Sequence, residues 1–514
     1  MIEAPVARAA PERGLTARRI RARLWFALAA VLMAQVALAA AVPLLPEEAY
    51  HWNFARHPDW SYFDHPPMVA WSIALGRLFL GDTRFGIRLV PLLFGLGTTY
   101  LLARLARRLY GDSAASWSVL LYALIPAAFF VGVWGFPDSP LLFFWALTMT
   151  WLWRAFDTGR ARWWLAAGAA LGAALLSKYT AAFFVPSVLL YLLRSARDRC
   201  WLTTCWPYLA GACSLLVFAP VLYWNWEHQW ASFRFQSLDR FQAANSFSFR
   251  AGLQSAGEQW LLILPLTLPL AIVTIRRQAT SPRPEEQFLF SMFVATAVFF
   301  VPLWWTPSFH LLWPLPAYLG LTLSMAGAVA CRADRVARWY QARPGWLAGM
   351  GACTALLVGV HGAWVLPGIP PLHETYGWDE VAGRARALRE TLPPDSFYLA
   401  AGGRHYAPAS QLAFHLEAPF QVYGANLIGQ EALQYRYWAN PDEFAGKDAV
   451  VAVVGEDPFK KVRTALRQYF DSVEQVDHLI VPVERFQFLR KPLLEARLYR
   501  AYGYHLVPRE MSND

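Results

Sequence analysis

Residues 162–194, RWWLAAGAALGAALLSKYTAAFFVPSVLLYLLR, are two apolar runs that meet at Ser177-Lys178-Tyr179-Thr180 and carry Arg162 and Arg194 at their outer ends. Each run is short, and a helix of that size covers only about 22 Å. Two such helices make a tight hairpin whose apex lysine sits at or below the membrane interface opposite the arginines. An isolated ammonium between apolar helices needs an anion, and a lipid phosphate is the obvious one; the plainer alternative is a lysine snorkelling to the interface.

The rest of the chain has the same character. Of 514 residues, 56% are hydrophobic and 16% charged, where soluble domains have about 25% charged residues. Mean hydropathy is +0.27, which with 25 Trp, 34 Phe and 21 Tyr indicates a polytopic membrane protein rather than a soluble globule. The net charge of +10 is uneven: 30 basic and 17 acidic residues precede Pro367, and 16 basic and 19 acidic residues follow it. Within the apolar part the arginines cluster at the ends of alternate runs, as in Arg18, Arg19, Arg21, Arg23; Arg104, Arg107, Arg108; and Arg194, Arg197, Arg199. That is the positive-inside pattern, so the basic excess reports orientation and not nucleic-acid binding.

Apolar runs lie at 24–45, 85–103, 114–133, 139–156, 163–177, 179–193, 201–222, 257–275, 287–304, 311–330 and 346–367, giving about eleven transmembrane helices. The expected organisation is a cytoplasmic basic N-terminus (1–23), a transmembrane catalytic domain (24–367) and a C-terminal extracytoplasmic α/β domain (368–514). The odd number of crossings carries that last domain to the far side. Its strand-like runs are 397–401 and 449–454, and its helix-like runs are 378–391 and 458–470. Gly402-Gly403-Arg404 lacks phosphate-loop spacing and reads as a turn. Five cysteines lie in or beside apolar runs, so neither a disulfide framework nor a cysteine metal site is expected.

The polar residues on the outer face are the functional candidates, because polar groups at a membrane are expensive unless they work. The first loop supplies Glu47, Glu48, Tyr50, Asp64 and His65; Met68 to Leu80 suits a helix lying at the interface. The second loop holds Asp138 between two prolines, the hairpin apex holds Lys178 and Tyr179, and a further loop holds Glu227, His228 and Arg234. Aromatic residues here also suit an interfacial belt, and a loop acid is commonly just solvated. A lipid transporter would place its polar groups near the midplane and show repeats; here they share one face, which favours chemistry on a head group.

Glu47-Glu48-Ala49-Tyr50, Tyr62-Phe63-Asp64-His65-Pro66-Pro67, Pro137-Asp138-Ser139-Pro140, Ser177-Lys178-Tyr179-Thr180 and Trp230-Ala231-Ser232-Phe233-Arg234-Phe235-Gln236, in this order, resemble bacterial family 39 glycosyltransferases. These are relatives of protein O-mannosyltransferases and of the aminoarabinose transferase of lipid A. The resemblance covers roughly 24–330, and it implies the GT-C fold. It also implies an inner-membrane enzyme that takes a sugar from a polyprenyl-phosphate donor on the periplasmic face and transfers it, with inversion, to an envelope acceptor such as lipid A or lipopolysaccharide. Protein O-glycosylation, a non-enzymatic polyprenyl-lipid transporter and an envelope-assembly scaffold stay open beside it. In many members the first loop carries Asp-Glu, with the Asp catalytic; here the pair is Glu47-Glu48, and either is the candidate base. The resemblance gives Asp138 a role in orienting acceptor or donor, and Lys178, with Arg234 or His65, the carrier phosphate. Phosphate leaves readily, so no metal is required, although Asp64 and His65 could bind a divalent ion. The lipid-linked sugar is a co-substrate.

Overall fold

The computed structural model describes residues 29–507 except 240–246, 264–265, 308, 311, 344, 365–374, 404–405, 419, 456–457 and 482–493. The N-terminal segment 1–23, Arg240, Arg404 and Pro367 lie outside the described residues.

The first described helix is α1 (Ala29–Ala41), which bends by 73° into α2 (Pro46–Arg56). Pro46 fits the first position of α2, where its missing N–H costs nothing. Helix α3 (Met68–Leu80) coincides with the stretch read as an interfacial helix, and α4 (Arg84–Tyr110) is the longest of the apolar helices. Helices α5 (Asp112–Ala123) and α6 (Pro126–Val131) follow, then α7 (Asp138–Thr158) and α8 (Arg162–Ser177). After Lys178 comes a 3₁₀ turn (Tyr179–Phe183), then α9 (Phe184–Arg194) and α10 (Trp206–Glu227). Further apolar helices occupy Phe249–Ile263, Leu268–Ala279, Pro284–Leu303, Ala317–Ala330 and Gly345–Trp364.

Several runs read as single crossings are divided. The run at 114–133 breaks before Pro126, and that at 257–275 divides between Phe249–Ile263 and Leu268–Ala279, with Pro269 in the first turn of the second helix. Proline lacks the N–H a helix interior requires and restricts the residue before it, so the helix restarts there. Among the described residues three helices are individually long and apolar enough to cross a membrane (α4, α10 and Pro284–Leu303), or four if α1 and α2 count as one span.

Close packing in the bundle depends on small residues. On α8 a Cβ at Gly168 would fall 2.3 Å from the Ala210 carbonyl oxygen of α10, and one at Gly172 would fall 2.7 Å from that of Ser214. Small residues four apart let two apolar helices approach backbone to backbone where solvent supplies no hydrophobic drive. This contact fixes the height of Lys178, the next residue after α8.

Residues 378–504 form a five-stranded mixed sheet in the order β2-β1-β3-β5-β4, from β1 (Phe397–Gly402), β2 (Val422–Tyr423), β3 (Ala449–Val454), β4 (Phe470–Val481) and β5 (Leu494–Tyr504). β1 pairs in parallel with β2 and β3, and β5 runs antiparallel to β3 and β4. The runs Phe397–Gly402 and Ala449–Val454 are continuous apolar stretches, as buried parallel strands require. Helices Trp378–Arg389, Ala407–Leu416 and Pro458–Tyr469 pack on this sheet. One apolar cluster joins Tyr50, Trp52 and Phe54 of α2 to Leu412, Ala413, Tyr435 and Val450, so the first loop is clasped between the helical bundle and the sheet.

Candidate active site

Asp138 opens α7 and Lys178 follows the end of α8, and because these helices are antiparallel the two side chains meet at one end of the bundle. The Lys178 ammonium donates to both Asp138 oxygens, at 2.8 and 2.9 Å. The carboxylate lies at a helix N-terminus and the ammonium at a helix C-terminus, so each charge faces the favourable pole of its own helix. The Asp138 side chain is 5% exposed and that of Lys178 14%. This is a nearly dry pair with a narrow opening on the lysine side.

Glu47 and Glu48 stand on the first turn of α2, about 100° apart around the helix, and the structure gives them different surroundings. Glu48 is fully buried. Its oxygens accept from Arg88 Nε at 2.8 Å and Nη2 at 2.5 Å, from the Gly135 N–H at 2.9 Å and from the Leu45 N–H at 3.0 Å. Arg88, also fully buried, donates further to the carbonyls of Ala39, Val42 and Pro43 and stacks on Trp134. Glu48 therefore ties α1, α4 and the second loop together. Glu47 is half-buried beside this clamp.

His51 is the third buried group. Its Nδ1 lies 2.9 Å from the Gly135 carbonyl oxygen. A carbonyl only accepts, so Nδ1 carries the proton and Nε2 keeps its lone pair in the neutral ring. Burial lowers the imidazole pKa to about 4, against the opposing influence of the Gly135 bond, Glu48 and Asp138. His51 is thus neutral at physiological pH. Gly135 bonds Glu48 through its N–H and His51 through its carbonyl, which holds the loop leading into Asp138 against α2.

Asp64 accepts from the Tyr50 hydroxyl at 3.0 Å, and His65 Nε2 lies 3.8 Å from Asp64. The Tyr50 hydroxyl in turn accepts from the Gln434 N–H at 3.0 Å, while Gln434 Oε1 accepts from the Phe63 N–H at 2.6 Å. Burial and the neighbouring Asp64 push the Tyr50 phenol well above its ordinary value, so it acts as a neutral hydrogen-bonding strut. Tyr50 also stacks on Tyr406 at 4.3 Å, and Arg436 lies 3.9 Å over the Phe63 ring. Tyr179 packs edge-on against Phe233, and Gln236 donates to the Asp64 carbonyl at 2.8 Å.

The expected site residues do not all join this cluster. Glu227 is exposed on the last turn of α10 and accepts from Tyr223, one turn back. His228 stacks on Trp224 at 3.9 Å, and its Nδ1–H donates to the Trp224 carbonyl at 2.8 Å. Arg234 is exposed. Among the described residues no three His, Cys, Asp or Glu side chains converge as a metal site; Asp64 and His65 offer two donors, and no step is assigned to a metal.

Arg88, His51 and Gln434 were not among the candidates. Arg88 had a legible signal, since an arginine inside an apolar run requires a partner. Gln434 had none, because its partners are far away in sequence.

Residues 64–224 match the family model described as dolichyl-phosphate-mannose-protein mannosyltransferase. The fold is similar along nearly the whole chain to ArnT from Cupriavidus metallidurans bound to undecaprenyl phosphate, with a TM-score of 0.61, 17% identity, and 92% of this chain and 98% of that one covered. The matched stretch is thus similar to this family, and the overall fold is that of the ArnT structure. Among curated relatives it is 27% identical over 226 residues to the lipid A galacturonosyltransferase RgtD of Rhizobium johnstonii, covering 43% of this chain and 46% of that one. It is 34% identical over 171 residues to an undecaprenyl phosphate-α-4-amino-4-deoxy-L-arabinose arabinosyl transferase of Pseudomonas aeruginosa, covering 31% and 29%. The chain thus spans less than half the length of these relatives in the matched regions. The family-model match contains Asp64, His65, Asp138 and Lys178 and begins after α2, so Glu47, Glu48 and His51 lie before it.

Proposed function

We propose that the protein is an inverting membrane glycosyltransferase that moves a sugar from a polyprenyl-phosphate donor to an envelope acceptor, with lipid A or another lipopolysaccharide glycan favoured. The reaction takes place on the periplasmic face of a bacterial inner membrane, with the N-terminus cytoplasmic and the sheet-bearing segment periplasmic. One observation carries this reading: a nearly dry Asp138–Lys178 pair stands at the same end of the bundle as the Glu47-bearing helix, in a chain whose fold is shared with a protein crystallised with undecaprenyl phosphate.

In this reading Lys178 receives the donor phosphate. Two of its three N–H groups face Asp138, and the third remains for a phosphate oxygen. Glu47 accepts the proton of an acceptor hydroxyl as that oxygen bonds the anomeric carbon. The bond from that carbon to the carrier oxygen breaks, and its electron pair leaves with polyprenyl phosphate, whose added charge the ammonium stabilises. A phosphate acceptor is already anionic and would need orientation only. Asp138 holds Lys178 in place, and Glu48 holds the frame. Tyr50, Asp64, His65 and Tyr179 form the wall toward the acceptor, with Glu227, His228 and Arg234 on its outer rim.

The test is turnover. Purified protein with labelled undecaprenyl-phosphate sugar and a lipid A acceptor should release undecaprenyl phosphate, and Glu47→Gln should remove that release while leaving the melting temperature unchanged. Lys178→Met should raise the donor KM more than it lowers kcat. Wild-type turnover in Glu47→Gln would overturn the base assignment, and an unchanged donor KM in Lys178→Met would overturn the phosphate site.

A further inference from the structure

At the end of the bundle opposite Asp138, α4 and α7 enclose a cavity of about 370 Å³ lined by Tyr100, Arg104, Arg107, Arg108, Thr150 and Arg154. Arg154 is sixteen residues along α7 from Asp138, roughly 24 Å at the rise of a helix. The cavity is therefore distinct from the site described above.

Its four arginines are unequally neutralised. Arg107 pairs with Asp112 at 2.7 Å, and Arg108 with Asp157 at 2.5 Å. Among the described residues Arg104 and Arg154 meet no carboxylate: Arg104 bonds the Tyr100 hydroxyl at 3.1 Å, and Arg154 lies 4.9 Å over the Trp163 ring. Two positive charges thus face a concavity of small-molecule size without a counter-ion among the described residues.

The surface leading to the cavity is apolar. Leu93, Leu96 and Tyr100 are exposed on α4, at 54%, 38% and 59%, and their spacing of three and four residues continues into Arg104 and Arg107. One face of α4 therefore passes from aliphatic to phenolic to cationic. Beside it, Gly97 is pressed against Phe143 of α7, and the arginine-lined cavity lies further along both helices. A free anion would use only the cationic end of this face. An amphipathic lipid would use all of it.

We infer that the cavity binds the phosphate of an anionic phospholipid whose acyl chains lie along the Leu93–Leu96–Tyr100 face of α4. Arg104 and Arg154 donate to the phosphate oxygens, and the Tyr100 ring sits at the level of the glycerol. The inference rests on the chain lying in a membrane and does not depend on glycosyl transfer.

The experiment is native mass spectrometry of the delipidated full-length protein titrated separately with phosphatidylglycerol, phosphatidylcholine, undecaprenyl phosphate and inorganic phosphate. Phosphatidylglycerol should bind at least about tenfold more tightly than phosphatidylcholine, at about fivefold or more per arginine near a lipid phosphate. Arg104→Gln/Arg154→Gln should weaken phosphatidylglycerol about thirtyfold and phosphatidylcholine, whose phosphate is offset by its own ammonium, by much less, while the corresponding lysine pair should retain most of the binding. If the glutamine pair fails to fold, Arg154→Gln alone decides, with a loss of about fivefold. Equal affinity for the two phospholipids would overturn the inference, as would full phosphatidylglycerol binding by the folded glutamine variant. Tighter binding of undecaprenyl phosphate at this site would reassign it to the carrier lipid, and saturation by inorganic phosphate would make it a simple anion site. None of these readings involves sugar turnover, so failure here is separable from failure of the proposed reaction.

Discussion

The Lys178 ammonium bonds both oxygens of Asp138, forty residues away on the neighbouring helix, and the pair is almost entirely shielded. Removing one member of a buried ion pair strands the other and typically costs 3–5 kcal/mol, whereas removing both is far milder. Lys178→Met and Asp138→Asn should each lower the detergent melting temperature, and the double variant should recover part of the loss, with a coupling of about 1–3 kcal/mol. Strictly additive losses would show that the two groups do not depend on each other.

Glu48 and Glu47 should separate experimentally. Glu48→Gln or Arg88→Met breaks a fully buried pair and should cost about 3–5 kcal/mol, read as a lower melting temperature or loss of folded material. Glu47→Gln should leave the melt unaltered. If Glu48→Gln melted like the wild type, the structural role assigned to that carboxylate would fall.

His51 makes a prediction about pH. Its folded pKa is about 4, against about 6.5 for the free side chain. Between these values the unfolded chain binds more protons, so stability falls as pH falls from about 6.5 toward 4, by about 3 kcal/mol over the window. His51→Gln, which retains a donor for the Gly135 carbonyl, should flatten this slope in melts recorded from pH 7 to pH 4.5. A slope identical to wild type would assign the acid sensitivity to other groups.

Tyr50→Phe tests the clasp between the first loop and the sheet. The substitution keeps the stacking on Tyr406 and removes the hydroxyl that bonds Asp64 and the Gln434 N–H. It should destabilise the protein by about 1–3 kcal/mol through the buried groups left unpaired. Limited proteolysis should then cut more readily after Gln434. Unchanged melting and cleavage would mean that water replaces the hydroxyl without cost.

Asp138 and Lys178 were legible as candidates because isolated charges beside long apolar runs stand out against their surroundings, and their pairing follows from the antiparallel hairpin. The different surroundings of Glu47 and Glu48 were not legible, since they depend on Arg88, forty residues on, reaching Glu48 from inside α4. Apolar runs also hid helix breaks: hydropathy averages across Pro126 and Pro269, but the helix cannot. In the sheet, β1 and β3 announced themselves as unbroken apolar runs. β4 and β5 did not, because their alternating charged residues, such as Glu474, Asp477, Glu495 and Arg497, read as loop.

The bonds from Gln434 to Phe63 and Tyr50 join residues 371 and 384 positions apart. At an elongation rate of 5–20 residues per second, roughly 20 to 75 seconds of synthesis separate the two partners. Throughout that interval the first loop must exist without its cover, its tyrosine and acids solvated or held by other factors. The helices can insert in order, but the pocket wall closes only when the last third of the chain arrives, so a nascent or truncated chain has an open site however well its membrane part has folded.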